Sequence, residues 1–509
     1  MRLLFSSCLL AALAAGCSCS SPMMTEDSGS PPMPDGNDVR GDFVDRYLVN
    51  DGGLVLAPQQ LATRTLSFFV EQDDGGFIGL TGVGANDGTY FVTGVPEGAR
   101  YTVQIGGVRV NTDARVLHLG SNSLGRPDVF QADRNEGLAL TLTNLAPWTG
   151  DDELQVSSWN AGMGYYSTST RSPPFAANAP DAGDTALDGS VLDFEGESVI
   201  EAARGDDLTL VQLSGTRTDG GIVVRTATRA LTAQTTLALG TPTPLAGDLV
   251  TLPLVDAGYV LRAGEFRKHG ATVGPGAAPY MVRLLVDAHP GRFGRTTHTG
   301  GTPDLAVVEL PPDAGDTAVA LAYGNPFPAT WTPFVTAGAL YDVQYKLPLP
   351  DGGMTFARSE LGYVSVALTA ELAAAGPIEP LVTPPRDLTL DGRTASIGML
   401  EDVSVTPEVG WAKPAVGTVS RVEIEAVRLE PTMQGVTKRT AVGTLRVVGA
   451  VNRVRLPPGF LNPGETYYLR VTALSLPAEY DATWPLLDVG PPAGAASAST
   501  SPFTTRATP

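Results

Sequence analysis

The chain has 509 residues, with 54 acidic against 34 basic side chains and a formal charge of -20. That balance leaves no electrostatic footprint for nucleic acid, and an anionic lipid surface would repel the folded body. At roughly 100 to 200 residues per domain, the length predicts about three to five domains, each able to bury a core.

After Met1 the chain places a charge at Arg2, runs apolar from Leu3 to Ala15 and reaches Leu13-Ala14-Ala15-Gly16-Cys17. A membrane-spanning helix needs about 20 apolar residues, and this run is shorter and ends in Ser- and Pro-rich sequence. The pattern resembles a bacterial lipoprotein signal, with an ordinary secretory signal cut near Ala15 as the alternative. The resemblance implies a signal peptide over 1–16, cleavage before Cys17 and lipidation of the Cys17 thiol. Ser18 rather than Asp after the cysteine implies passage to the outer membrane of a Gram-negative bacterium. The membrane partner is then reached through the lipid. Lys268, Lys346, Lys413 and Lys438 are the only lysines, so Arg dominates the basic set, as in a GC-rich genome.

Cys8, Cys17 and Cys19 are the only cysteines, so the body beyond them holds no disulfide, thiolate zinc site or cysteine nucleophile. Residues 17–40 are rich in Ser, Pro and Asp and cannot bury a core, which predicts a disordered tether. As a flexible coil, about 20 such residues span on the order of 25 Å.

The chain has 58 Gly and 41 Pro, most of them beyond the tether, where they divide it into short runs with apolar residues at alternate positions. Leu138/Leu140/Leu142, Tyr101/Val103/Ile105, Tyr341/Val343/Tyr345 and Tyr467/Leu469/Val471 show this period of two, which predicts strands. Thr102, Gln104, Asp342 and Arg470 are then expected to face water. Only Ala367 to Ala375 has helical composition.

The segment 41–128 contains Asp87-Gly88-Thr89-Tyr90-Phe91-Val92, then Pro96-Glu97-Gly98 and Tyr101-Thr102-Val103. This turn-strand-turn-strand pattern resembles the carboxypeptidase regulatory-like module. The resemblance implies a transthyretin-like sandwich with a carbohydrate-binding-like fold and no catalytic residue. One extra residue between Gly98 and Tyr101 departs from the usual spacing.

Residues 129–255 and 256–383 are expected to form two β-domains of unassigned family. Pro180-Asp181-Ala182-Gly183-Asp184-Thr185-Ala186 recurs verbatim as Pro312-Asp313-Ala314-Gly315-Asp316-Thr317-Ala318, each copy ahead of an apolar run. A turn shared by two related domains explains the repeat better than a calcium loop, whose ligand spacing it lacks.

The segment 384–509 contains Pro384-Pro385-Arg386-Asp387-Leu388, a strand with Trp411, the alternation Val422/Ile424/Ala426, Leu461-Asn462-Pro463-Gly464-Glu465-Thr466-Tyr467 and a closing Phe503. It resembles a fibronectin type III module. The resemblance implies that Trp411 lies in the core and that the Tyr467 hydroxyl bonds back to the backbone.

Candidate sites are sparse. His269, His289 and His298, near Asp287, Asp304 and Glu309, have the ligand types for zinc or iron, but their spacing matches no metal motif, and exposed loop histidines are expected. Asp151-Asp152 and Asp206-Asp207 would serve glycoside hydrolysis only across a cleft and otherwise read as solvated surface. No GxSxG elbow or phosphate loop occurs. Trp159, Tyr165 and Tyr166, with Trp148 nearby, would stack on sugar faces, with Asp151, Asp152 and Asn160 bonding hydroxyls; core packing explains the same aromatics. Arg40-Gly41-Asp42 and Arg204-Gly205-Asp206 are read as chance tripeptides.

The expected fold is all-β, tandem β-sandwich domains after a lipoprotein signal peptide and a flexible tether. The expected role is a lipid-anchored envelope protein, structural, adhesive or binding, without catalysis, cofactor or metal. A carbohydrate-binding surface lipoprotein and a hydrolase with its site in 129–383 are the alternatives, and the glycan or protein partner is open.

Overall fold

The computed structural model describes residues 37–49, 53–129, 137–167, 175, 177–192, 199–237, 240–289, 302–348, 353–396, 398–431, 437–487 and 490–507. Cys17, the signal segment and most of the 17–40 tether lie outside the described residues.

Alternating apolar residues become strands because period two places every second side chain on the same face. The four alternating runs lie within strands Leu138–Thr143, Tyr101–Ile105, Thr332–Pro348 and Thr466–Ser475. The run read as helical divides. Strand Met354–Thr369 takes its start, and a short helix, Ala370–Ala375, takes the rest, with Thr369 Oγ1 accepting the Leu372 N–H at 3.3 Å.

The strands form four β-sandwiches in an all-β chain, and the first three share one connectivity. In each, the first of seven strands lies between the fourth, antiparallel, and the seventh, parallel, while the facing sheet runs third-second-fifth-sixth. In the first module the small sheet is Thr89–Val92, Val39–Asp42 and Val116–His118. The facing sheet there is Phe77–Gly84, Leu66–Glu71, Tyr101–Ile105 and Val108–Thr112. A hairpin, Val44–Leu48 with Leu54–Pro58, is inserted after its first strand.

The second module repeats the order with Leu187–Leu192, Leu138–Thr143 and Thr243–Asp248 facing Met163–Ser167, Glu153–Ser158, Asp207–Arg217 and Val223–Gln234. In the third, Thr317–Gly324, Leu254–Leu261 and Pro377–Ile378 face Asp304–Leu310, Ala278–His289, Thr332–Pro348 and Met354–Thr369. The duplicated heptapeptide ends just before the fourth strand in one module and runs into it in the other. The copies thus occupy corresponding places in the connectivity, but their turns close differently: Asp184 N donates to Asp181 O within one copy, whereas Ala314 N donates to Pro311 O, the residue ahead of the other.

The fourth module is built differently. Arg393–Thr394, Arg386–Leu390, Glu408–Ala412 and Arg453–Arg455 form one sheet, facing Thr437–Val448, Arg421–Pro431, Thr466–Ser475 and Ala493–Ser499. Trp411 is buried with Ile424, Leu445, Leu469 and Phe503. Tyr467 is fully buried, and its hydroxyl accepts the Asn462 N–H at 3.0 Å, closing the Pro463-Gly464 turn. This is a fibronectin type III-like sandwich with a tyrosine corner.

The modules do not hang as separate beads. The sixth strand of the second, Val223–Gln234, pairs with Asp304–Leu310 of the third, from Val223 with Glu309 to Thr226 with Ala306. The sixth strand of the third pairs with Ala493–Ser499 of the fourth. The sixth strand of the first lies parallel to Thr437–Val448 of the fourth, with Arg446 opposite Val110 and Val447 opposite Asn111. Each of the three gives its outer edge to a neighbour, which satisfies backbone N–H and C=O groups that an open edge would expose.

The contact of first with fourth corrects one expectation. Thr102 does not face water but is 1% exposed, because the fourth module covers that side of its strand. Asn111 Nδ2 donates to Thr102 Oγ1 at 3.1 Å, and Arg100 Nη2 reaches Val448 O at 2.7 Å. Arg455 Nε donates to Glu71 Oε1 at 3.0 Å. Trp484 stacks on His118 at 4.0 Å, and the Arg46 guanidinium also lies 4.0 Å from the Trp484 ring.

Candidate functional site

The strand Glu153–Ser158 is buried on both faces. Leu154 and Val156 enter the core of the second module. On the opposite face Glu153, Gln155 and Ser157 point toward the third module, and Trp159 continues that row after the strand ends. A turn follows, with Gly162 N donating to Trp159 O at 2.8 Å. Gly125 packs against this turn at φ +78°, where a Cβ would stand 2.4 Å from Gly162 N. No larger residue fits there without moving the backbone.

Trp159 is 4% exposed and its Nε1 donates to Leu48 O of the first module at 2.9 Å. Its ring meets Trp331 edge-on at 4.7 Å and 63°, and Trp331 stacks on Phe327 at 4.9 Å and 3°. The loop carrying these two is folded by its own bonds, Phe327 N to Asn325 Oδ1 at 2.9 Å and Trp331 N to Pro328 O at 2.8 Å. Between the modules lies a cleft of about 390 Å³, lined by Ser157, Trp159, Asp207, Thr209, Thr232 and the Pro326–Pro328 and Trp331 loop.

Further along the same face is a buried polar row. Gln155 Nε2 donates to Asp304 Oδ2 at 2.8 Å and to Glu153 Oε1 at 3.0 Å, while Asp304 N donates to Gln155 Oε1 at 3.0 Å. Asp304 lies opposite Asp287 in the strand pairing, and Thr336 Oγ1 donates to Asp287 Oδ2 at 3.4 Å. Burial pushes Asp287 up to about 6. It pushes Asp304 well above the usual carboxylate range, and the Asp287 charge adds to the rise. Two neighbouring carboxyls in a dry site resist ionising together and titrate as a pair. Arg225 Nη1 pairs with Glu309 Oε2 at 3.1 Å and Nε lies 3.9 Å from Glu153 Oε2.

The histidines separate. His289 is 2% exposed, stacked on Phe334 at 4.8 Å and edge-on to Trp159 at 6.4 Å, so it is a buried ring and not a loop residue as expected. His269 is half-buried, and burial with the neighbouring Lys268 holds its imidazole below the ordinary value. His298 lies outside the described residues. Among the described residues, no three His, Cys, Asp or Glu side chains converge as metal ligands would.

Other candidates are engaged within the protein. Trp148 packs edge-on to Phe175 at 6.2 Å. Asp152 accepts Gly215 N at 2.7 Å and Gln212 Nε2 at 3.0 Å, Asp151 accepts Arg217 Nε at 3.2 Å, and Asn160 Nδ2 donates to Asp206 Oδ1 at 3.1 Å. Each of these polar groups is thus held in place by a partner within the protein. Asp206, expected as solvated surface, has no exposure and takes Arg126 through Nε at 3.1 Å and Nη2 at 2.9 Å. Tyr165 and Tyr166 lie on strand Met163–Ser167, with Tyr166 opposite Val156; their side chains lie outside what is described. Phe327, Trp331 and Gln155 were not singled out from the sequence. The stretch Asn325-Pro326-Phe327-Pro328-Ala329-Thr330-Trp331 carries the available signal, two rings on a Pro-rich loop.

No family model matches the chain, and no curated protein matches it. Among solved structures, the FN1-FN3 domains of chicken CNTN1 are 9% identical, covering 74% of this chain and 99% of theirs, with a TM-score of 0.13. A tetra-tandem repeat in the extending region of a large adhesion protein is 12% identical over 92% of this chain and 99% of its own, with a TM-score of 0.12. Superposition this poor carries no weight for function, and the fold stands on the strand order described above.

Proposed function

We propose that the chain is a lipid-anchored envelope protein with a structural, adhesive or binding role and no catalysis. The observation that supports this reading is the edge-to-edge joining of four sandwiches into one body, with the first module docked on the fourth. Such construction suits a platform that holds a surface in fixed geometry. The Asp287–Asp304 pair, the most strongly perturbed carboxyls near the cleft, is enclosed by Gln155 and Thr336, so it serves the junction and not a substrate. The shared connectivity of the first three modules means that a carboxypeptidase regulatory-like assignment for the first would extend to the second and third. Lipidation at Cys17 would hold the platform on the outer membrane of a Gram-negative cell.

The test is cellular. Cys17→Ser should move the protein from the membrane fraction to the soluble fraction, and continued retention would remove the anchor. A deletion strain should attach less to surfaces and neighbouring cells, with attachment restored by the wild-type gene; unchanged attachment would remove the adhesive role. Turnover in a broad hydrolase screen would overturn the non-catalytic reading.

A further inference from the structure

We infer that the cleft between the second and third modules binds a neutral carbohydrate. This names the ligand class for the binding role proposed above and rests on that reading. Three features of the cleft carry the inference together.

The first is an aromatic wall. Phe327, Trp331 and Trp159 form a continuous stack and edge contact, with Phe327 the half-buried member at the cleft and the two indoles behind it 6% and 4% exposed. The C–H face of a pyranose packs against such a surface, burying apolar area without losing its hydroxyl bonds.

The second is a polar wall opposite in chemistry. Ser157, Thr209 and Thr232 bring hydroxyls that both donate and accept, and Asp207 brings an acceptor. Asp207 Oδ1 takes Gln234 Nε2 at 3.2 Å, which fixes the carboxylate at the cleft edge. A polyol has the vicinal donors that a carboxylate accepts, and its remaining oxygens can pair with the hydroxyls.

The third is charge. Among the described residues no Lys or Arg lines the cleft, and Asp207 lies in it on a chain of formal charge -20. A phosphate, a uronate or a sulfated sugar would meet repulsion with no compensating cation. The volume of about 390 Å³ lies within the roughly 300–1,000 Å³ of small-molecule sites. A neutral sugar satisfies all three features at once, whereas an apolar ligand would strand the hydroxyls and Asp207.

The experiment uses the full chain purified in mild detergent. The probes are neutral gluco-, galacto-, manno- and chito-oligosaccharides, with polyuronates as the acidic comparison. Tryptophan fluorescence and calorimetry report binding. Wild type should bind at least one neutral series and no uronate. Phe327→Ala and Asp207→Asn should each weaken that binding by roughly tenfold, the loss expected for one ring contact or one charged hydrogen bond. Because Phe327→Ala also touches the core, Asp207→Asn is the deciding variant, and its melting curve should match wild type. Absence of neutral binding, preference for uronates, or full affinity in Asp207→Asn would overturn the inference. A chain that binds none of these sugars yet restores attachment to the deletion strain removes the inference and leaves the platform reading. One that restores neither removes both.

Discussion

Gln155 and Asp304 exchange two hydrogen bonds across the boundary between modules, Nε2 to Oδ2 at 2.8 Å and Asp304 N to Gln155 Oε1 at 3.0 Å. The amide matches both the backbone and the side chain of its partner, so the junction is set by geometry as well as by the neighbouring strand pairing. Its carboxylate partner in turn lies opposite Asp287, and that pairing makes the junction sensitive to protons.

A carboxyl whose folded pKa is raised contributes stability that is whole below its unfolded value and is lost as pH rises through the folded value. Asp287 starts from 3.8 and reaches about 6, and burial beside Asp287 raises Asp304 well above its ordinary value. The pair therefore supports the fold at acid pH and weakens it from about pH 4 upward, through 6 and beyond. Asp304→Asn should remove this dependence, because a neutral amide both accepts from Gln155 and donates to Asp287. Chemical denaturation at pH 5 and pH 8 should show the variant gaining on wild type at the higher pH, by on the order of 2 kcal/mol. Equal pH dependence in both proteins would show that the two carboxyls do not titrate as a pair.

Tyr467→Phe removes the hydroxyl that accepts the Asn462 N–H and leaves the ring in place. The expected cost is about 1 kcal/mol, that of one internal hydrogen bond with its partner left near water. Urea unfolding should show a lower midpoint with an unchanged slope. An unchanged midpoint would mean the corner bond contributes nothing.

Arg126 is 8% exposed and grips Asp206, which has no exposure, through two nitrogens, with Glu201 and Asp128 also in reach. Arg126→Ala leaves a buried carboxylate without its cation and should cost about 3–5 kcal/mol. Arg126→Lys should recover little, since a point charge cannot reproduce the two-pronged contact. Unfolding curves of the three proteins decide this, and full rescue by lysine would refute the geometric role.

Trp484 lies against both His118 and Arg46 where the first module meets the fourth. Trp484→Ala should loosen that contact while the cores of both modules stay folded. Hydrogen exchange should then speed up along Val108–Thr112 and Arg446–Val447 and remain slow in Leu138–Thr143. Unchanged exchange at the contact would show that the ring is not what holds it.

How far the sequence could be read depends on which surface a residue faces. Leu138, Leu140 and Leu142 face a core made within their own module, and alternation predicts them directly. The Tyr467 corner is equally local, five residues from its partner. Thr102, Glu153, Gln155 and Ser157 are polar residues at alternate positions, which is the pattern of a wetted face, yet all are buried. What covers them arrives from a module far away in sequence, and alternation contains no term for that. Trp159 was visible as a candidate, whereas its partners Trp331 and Phe327 lie about 170 residues on and are joined to it only by the packing of two modules.

The contact of the first module with the fourth also determines how the protein would carry tension. A pull applied between Val39 and Phe503 loads the short parallel pairing of Val110–Asn111 with Arg446–Val447, with Arg100 and Arg455 beside it, before it loads the second and third modules. Those two are bypassed while the contact holds. When it opens, slack is released and the force passes to the longer strand pairings between the remaining modules, so the molecule yields in two stages, with a weak latch giving way ahead of a strong one.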